Sequence, residues 1–276
     1  MRTVDKIALA KVAYWSVRAG RRILGRSNRT IVERAGLTFE LDLSQGIDFS
    51  IFLLGGFELS TRRALERCIR PGMTVLDVGA NVGAHTLSMA RMVGATGKVL
   101  AFEPTGYCYK KLRRNIELNP LLENSIECFQ YFLTTDPALG KPDAIYSSWP
   151  LTGGVDLHEK HFGQKMDASE AMAASLDSVL AGAQIGKVDV VKMDVDGFEC
   201  DVLGGAAVMM ERDRPVFVME LAPYAHGESF DTFIGYFNAL GYQFYDERTD
   251  RLLPRAAGDL RRLIGDAAGI NVVARV

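Results

Sequence analysis

The chain has 276 residues, of which 48% are hydrophobic and 24% charged, enough for a large core and too apolar for a disordered tail. A formal net charge of −2 excludes nucleic-acid binding by bulk electrostatics. The four cysteines, Cys68, Cys108, Cys128 and Cys200, form no C-x-x-C pair, which argues against a zinc ribbon or disulfide scaffold and for reduced thiols in the cytoplasm.

Charge is unevenly spread. Residues 1–29 carry eight basic side chains against one acid, Asp5, which leaves the remainder at −9. This leader lacks the apolar run of a membrane span and the compact core and cleavage site of a secretory signal. At 100° per residue Lys11, Arg18 and Arg22 share one helical face, Leu9, Val12, Ala13, Ile23 and Leu24 lie roughly opposite, and Tyr14 and Trp15 flank the basic face. Such a helix suits an anionic lipid surface, peripheral at the inner face of the membrane; the alternative is a helix docked on the domain with its basic face in water.

Residues 30–34 and 37–43 read as two short strands around Ala35-Gly36, and Phe57–Ile69 as a helix stopped by Pro71-Gly72. From Met73 strands and helices alternate. Strands are expected at Thr74–Val78, Lys98–Phe102, Ile126–Leu133, Val188–Met193 and Val216–Leu221. Helices are expected at Val82–Val93, Tyr107–Leu118, Ser175–Leu180 and Phe198–Met210. Continuous apolar strands in this rhythm predict an α/β fold, a parallel sheet covered on both faces. Tyr242–Tyr245 and Ile270–Ala274 offer a closing antiparallel pair. Residues 134–174 break the rhythm with Pro137, Pro142, Pro150, Trp149, His158 and His161, and read as an insertion or irregular hairpin over the sheet.

Two segments carry chemistry. Asp77-Val78-Gly79-Ala80-Asn81-Val82-Gly83 has the form D-x-G-x-x-x-G at a strand-to-helix turn. There Gly79 permits a tight turn and close approach to a ligand, Gly83 lets the helix pack near the strand, and the helix start offers free N–H groups. Glu103 follows at the end of the next strand, where a Rossmann-like sheet holds ribose hydroxyls. The nicotinamide fingerprint G-x-G-x-x-G is absent, and the spacing favours S-adenosylmethionine. The second segment, Val188–Glu199, ends a buried strand in Lys192, Asp194 and Asp196. Asp77, Gly79, Glu103, Asp194 and Glu220 all fall at carboxyl ends of strands, where open α/β sheets bind ligands. Helix capping is the alternative for Asp196 and Glu199.

These segments resemble the FkbM family of S-adenosylmethionine-dependent methyltransferases. LDVGANVGAHT (Leu76–Thr86), VLAFEP (Val99–Pro104) with LRRNIELN (Leu112–Asn119), Ser175-Leu176-Asp177, and VVKMDVDGFECDVLGG (Val190–Gly205) followed by Pro215–Glu220 stand in family order over roughly residues 57–221. Where the family usually reads D-V-E-G, this chain has Asp194-Val195-Asp196-Gly197, which keeps the charge and shortens the reach.

The resemblance implies a Rossmann-like class I methyltransferase with a mostly parallel seven-stranded sheet, one strand antiparallel, and helices on both faces. It divides the chain into an N-terminal basic helix and strand pair (1–56) and a methyltransferase domain (57–276) with the insertion at 134–174. By position it implies that Asp77, Gly79, Asn81 and Gly83 contact the methionine part of the cofactor, Glu103 the ribose, and Phe132 and Leu133 the adenine. The family's association with O-methylation implies a small-molecule, glycan or glycolipid acceptor.

A sugar hydroxyl is a poor nucleophile at neutral pH, so a base is expected among Asp194, Lys192, His85, His158 and His161. We assign no metal ligands, with a magnesium ion on Asp194, Asp196, Glu199 and Glu220 as the alternative. Two other functions compete: a nicotinamide-dependent oxidoreductase, which would need the missing fingerprint, and a non-catalytic cofactor-binding protein, which would be expected to have lost the turn or Glu103.

Overall fold

The computed structural model describes residues 3–152, 163–265 and 268–276, so His158 and His161 lie outside the described residues. Helix α1 (Thr3–Ile23) leads into β1 (Arg29–Arg34) and β2 (Leu37–Asp42), an antiparallel pair that turns at Ala35-Gly36. Strand β2 alternates, burying Leu37, Phe39 and Leu41. Next comes α2 (Gly46–Leu54), which the sequence reading did not foresee because its run of apolar residues lacks helical periodicity. Gly55, at φ 80°, ends it. The expected helix at Phe57–Ile69 is α3 (Leu59–Cys68).

The sheet region then follows the expected rhythm with β3 (Thr74–Val78), α4 (Ala84–Val93), β4 (Lys98–Phe102), α5 (Gly106–Glu117) and α6 (Pro120–Glu123). The strand expected over Ile126–Leu133 divides at Gln130 into β5 (Ile126–Phe129), which stays in the main sheet, and β6 (Tyr131–Leu133), which leaves it. Residues 134–174 contribute the antiparallel pair β7 (Ala144–Ser147) and β8 (Gln164–Asp167), then β9 (Met172–Ala174), which pairs with β6.

Ser175 caps α7 (Leu176–Gly182), accepting from Ser178 N. Strand β10 (Val190–Met193) follows. The single helix expected over Phe198–Met210 is two, α8 (Glu199–Gly204) and α9 (Ala207–Asp213). They part at Gly204-Gly205 because the 134–135 backbone passes there: a Cβ on Gly205 would meet Thr134 O at 2.4 Å. The chain closes with β11 (Val216–Leu221), α10 (Pro223–His226), α11 (Phe230–Ala239), β12 (Gln243–Asp246), α12 (Ala257–Ile264) and β13 (Ile270–Arg275).

The main sheet has seven strands in the order β12-β13-β11-β10-β3-β4-β5, with β13 antiparallel to both neighbours. Side chains alternate between its two faces. Leu76, Val191, Met193, Phe217 and Met219 pack with Leu180, Leu203, Phe233 and Phe237 on the α7, α8 and α11 face. Val75, Val99, Val190 and Val218 pack with Leu65, Met89 and Val93 on the α3 and α4 face. Alternation therefore sends Asp77 and Lys192 toward α3 and α4, and the two are paired across β3 and β10. It sends Glu220 the same way.

The N-terminal segment shares a core with the sheet region. Tyr14, Phe39, Leu41 and Phe49 pack with Ala80, Val82 and Leu112. Asn115 Oδ1 accepts from Glu40 N at 2.8 Å while its Nδ2 donates to Val82 O at 2.8 Å, so one α5 side chain ties β2 to the glycine turn.

Candidate active site

One cavity of about 1600 Å³ opens above the carboxyl ends of the central strands. That exceeds the ~300–1,000 Å³ of a single-ligand pocket, so it has room for two bound molecules. Its walls come from the glycine turn, the ends of β4, β6, β10 and β11, the α2–α3 junction, and the 145–149 and 246–248 segments.

The turn after β3 is built by close approach. Gly79 has φ 81°, and a Cβ there would lie 1.9 Å from Asp194 O, so only glycine fits between β3 and β10. Lys192 Nζ donates to Gly79 O at 3.1 Å and pins the turn from below. Asn81, at φ 49°, donates through Nδ2 to Ser147 Oγ and Ser148 Oγ at 3.3 and 2.9 Å, while its Oδ1 is buried with no partner. Gly83 brings no capping side chain to the start of α4. A buried acceptor and an uncapped helix start suit a ligand that bears both ammonium and carboxylate.

Glu103 is buried at the end of β4 and lines the cavity. Its Oε1 accepts from Thr105 N (2.8 Å) and Thr105 Oγ1 (2.6 Å), and its Oε2 accepts from Asn81 N (2.9 Å). Of roughly four acceptor positions on a carboxylate, one remains, on Oε2. Burial pushes its pKa up against these bonds.

Five of the seven expected cofactor residues, Gly79, Asn81, Glu103, Phe132 and Leu133, line the cavity. Phe132 meets Phe198 edge to face at 5.0 Å. Asp77 and Gly83 are placed differently: neither lines the cavity. Asp77 is fully buried, with Oδ2 accepting from Thr86 Oγ1 at 2.6 Å and Oδ1 lying 3.6 Å from Lys192 Nζ. Gly83 sits where a Cβ would meet Leu112 at 2.8 Å. Both hold the turn from behind.

The three expected catalytic residues come together on the α3 and α4 side. Lys192 Nζ lies 3.7 Å from Asp194 Oδ2. Burial works against its charge, but Asp77, Asp194 and Glu58 outweigh that and hold its pKa above the ordinary lysine value. These partners favour its charged form, which suits a positioning ammonium better than a base. Asp194, its side chain 38% exposed, borders the cavity. Burial and the nearby Glu58 raise its pKa while Lys192 draws it down. His85, in the first turn of α4, lines the cavity, and its buried Nε2 lies 3.8 Å from Glu58 Oε2.

Glu58 and Glu220 complete the group. Burial and the surrounding carboxylates push Glu220 up to about 8. Glu199 does not join it. Its carboxylate accepts from Val195 N and Gly197 N and so shapes the loop after β10, although it bonds no N–H of the helix that follows. Among the described residues no group of three His, Cys, Asp or Glu side chains is placed to hold a metal ion.

Glu58 was missed because an acid just before a helix reads as an ordinary first-turn charge. Ser147 and Ser148 were missed because nothing local marks two serines in an irregular insertion. Backbone strain would have found some of these: Glu58, Asn81, Ser148 and Asp196 are four of the eight described non-glycine residues with positive φ, and all four line the cavity.

A seven-stranded sheet with a single antiparallel strand next to its edge, and a glycine turn facing an acid across the first two central strands, defines a Rossmann-like class I methyltransferase architecture. A profile of the methyltransferase FkbM domain matches residues 77–244, and the chain belongs to that family. It is 28% identical over 154 residues to methyltransferase sdnD of Sordaria araneosa, covering 48% of this chain and 59% of that protein. It is 23% identical over 164 residues to the 2-O-methyltransferase NoeI of Sinorhizobium fredii, covering 56% of this chain and 66% of that protein. The match therefore spans less than two thirds of either relative. Among solved structures it is similar to an FkbM methyltransferase from Methylobacillus flagellatus, with 12% identity, TM-score 0.44, and coverage of 78% of this chain and 50% of that one. A SAM-dependent methyltransferase from Aquifex aeolicus gives 14% identity, TM-score 0.44, and coverage of 83% and 93%.

Proposed function

We propose that the protein is an S-adenosylmethionine-dependent O-methyltransferase acting on a hydroxyl of a sugar, glycolipid or other hydroxylated metabolite. The observation that carries this reading is one cavity with a glycine turn and ribose-type carboxylate at one end and a cluster of carboxylates with His85 at the other. The similarity to a 2-O-methyltransferase supports an oxygen acceptor.

In this reading Asn81 and the start of α4 hold the amino-acid end of the donor, the free position on Glu103 Oε2 takes a ribose hydroxyl, and Phe132 and Leu133 flank the adenine. When bound, the sulfonium supplies a methyl group to an oxygen lone pair, and its sulfur keeps the electrons of the broken bond. The chain's own residues align the acceptor and handle its proton. His85 accepts the hydrogen bond of the acceptor hydroxyl and takes its proton, Asp194 borders the same space, and Lys192 fixes Gly79 and Asp194 together. The test is calorimetric titration with S-adenosylmethionine, followed by mass spectrometry of glycans and lipids from cells with and without the gene. Saturable binding and loss of a methyl-sized mass increment support the reading. Binding of a nicotinamide dinucleotide in place of S-adenosylmethionine would overturn it.

The acceptor's setting follows from α1. Among the described residues no helix is long and apolar enough to cross a membrane. Yet the outward stripe of α1 is apolar: Val12, Trp15 and Ile23 are 65%, 54% and 86% exposed. Lys11 and Arg22 edge that stripe, and Arg18 stacks over Trp15 at 4.9 Å. Tyr14 is fully buried on the opposite side, so it does not flank the basic face as the helical projection implied. Ala10 and Ala13 of the same helix, with the exposed Leu53 and Leu54 of α2, line the cavity. This pattern supports a helix lying on anionic lipid at the cytoplasmic face, with the cavity beside it. Co-sedimentation with vesicles containing phosphatidylglycerol, abolished by Trp15→Ser with Ile23→Ser, is the expected result. Absence of binding by the intact chain would leave only the docked helix.

A further inference from the structure

Glu58 occupies the N-cap position of α3 but does not cap it: its side chain makes no bond to the helix start. Its backbone is left-handed, at φ 42° and ψ 65°, a conformation that is strained for a non-glycine residue. Asp, Asn, Ser or Thr would cap better, and glycine would turn more easily. Local helix chemistry therefore does not explain this residue. What the conformation does is turn the carboxylate into the cavity, toward the first turn of α4.

The carboxylate has two neighbours there. Thr61 Oγ1 is 3.5 Å from Oε2, but its single proton is better directed to Glu247 Oε2, at 3.0 Å. The other neighbour is His85 Nε2 at 3.8 Å, a buried ring nitrogen with no hydrogen-bond partner. A buried ring nitrogen left without a partner is unfavourable, and a small rotation of either side chain would bring the Glu58 carboxylate to it. Distances of this kind shorten when a site is filled.

Resting on the methyltransferase reading above, we propose that Glu58 is a positioning residue that holds the proton of His85 on Nε2 and so presents Nδ1 as the acceptor for the substrate hydroxyl proton. The step balances simply. The O–H bond of the acceptor breaks, the proton forms an N–H bond at Nδ1, and the resulting imidazolium lies against the Glu58 carboxylate. The oxygen keeps its electron pair for the incoming methyl group.

The groups facing the pair are Lys192 and Asp194 from β10, Glu220 from β11 and Glu247 after β12. His85 and Lys192 together outweigh the burial of Glu58 and hold its carboxyl below its ordinary value, so the positioning charge persists at neutral pH.

The experiment needs no acceptor. Nitrogen-15 histidine NMR on the full chain reads the tautomer of each of the four histidines, with His85→Gln assigning its signal. The expected result is an Nε2-protonated His85 in the wild-type protein. In Glu58→Gln the preference for that tautomer should weaken, because the acceptor charge facing Nε2 is gone. Glu58→Asp, which keeps the charge, should restore part of the preference, and Glu58→Ala serves if the glutamine variant does not fold. An unchanged tautomer in folded Glu58→Gln or Glu58→Ala overturns the proposal. Calorimetric titration with S-adenosylmethionine on the same samples separates this outcome from failure of the methyltransferase reading: the wild-type protein binds the donor whether or not Glu58 orients His85.

Discussion

At the β3–β4 end of the cavity, polar side chains are spent on bonds within the protein; at the β10–β11 end, carboxylates crowd one another. Glu103 holds Asn81 and Thr105, and Asp77 holds Thr86. Across the cavity Asp194, Asp196 and Glu220 stand together with little to neutralise them beyond Lys192, and their protons are held more tightly than usual. The difference teaches what each end can do. A rim fixed by internal bonds suits recognition of one unvarying molecule. A cluster poised to exchange protons suits chemistry on a hydroxyl.

Lys192 joins the two ends, and removing it is the severest way to break the contrast. Lys192→Met leaves the fully buried Asp77 facing no cation, and breaking such a pair costs about 3–5 kcal/mol. Urea denaturation should show that loss. A loss under about 1 kcal/mol would mean that the two ends are not electrostatically joined.

Glu103→Ala sharpens the recognition side. It strands two N–H groups and a hydroxyl, so the structure predicts a stability loss of about 1–3 kcal/mol together with weaker S-adenosylmethionine binding, by about tenfold or more. Calorimetry on the folded variant separates the two. Lost stability with unchanged affinity would make Glu103 a purely structural acid.

The smallest effect tests the chemical side. Glu220 is raised from 4.5 to about 8, so between those values the folded state binds more protons than the unfolded state. Stability from this group is thus full below pH 4.5 and declines as pH rises through 8. Glu220→Gln removes the ionising group and should flatten that decline, making the variant more stable than wild type near pH 8. Parallel pH profiles of the two proteins would show that Glu220 is not crowded.

The same contrast explains what could be read from the sequence. The strands Thr74–Val78, Lys98–Phe102 and Val216–Leu221 fall at their expected bounds, because a strand buried on both faces must be a short, continuous apolar run. Gly79 was legible because a close backbone approach admits one residue type. The division of Ile126–Leu133 was not, since Gln130 marks no break locally and the departure of β6 depends on its pairing with β9 over forty positions away. Glu58 was illegible for a similar reason: its partner, His85, lies across the sheet's face on another helix. Local chemistry writes itself into sequence, whereas partnership between distant segments does not.

Trp149 makes such a partnership physical. A Cβ on Gly46 would strike its ring at 2.3 Å, Gly46 N donates to Trp149 O, and Leu151 N donates to Ser44 O. The inserted hairpin is thereby stitched to the segment ahead of the sheet, and both border the cavity. A designer who grafts a relative's 134–174 loop onto this scaffold to change acceptor preference would set a foreign residue against Gly46, or leave a hole beside it. The two stretches should be exchanged as one cassette.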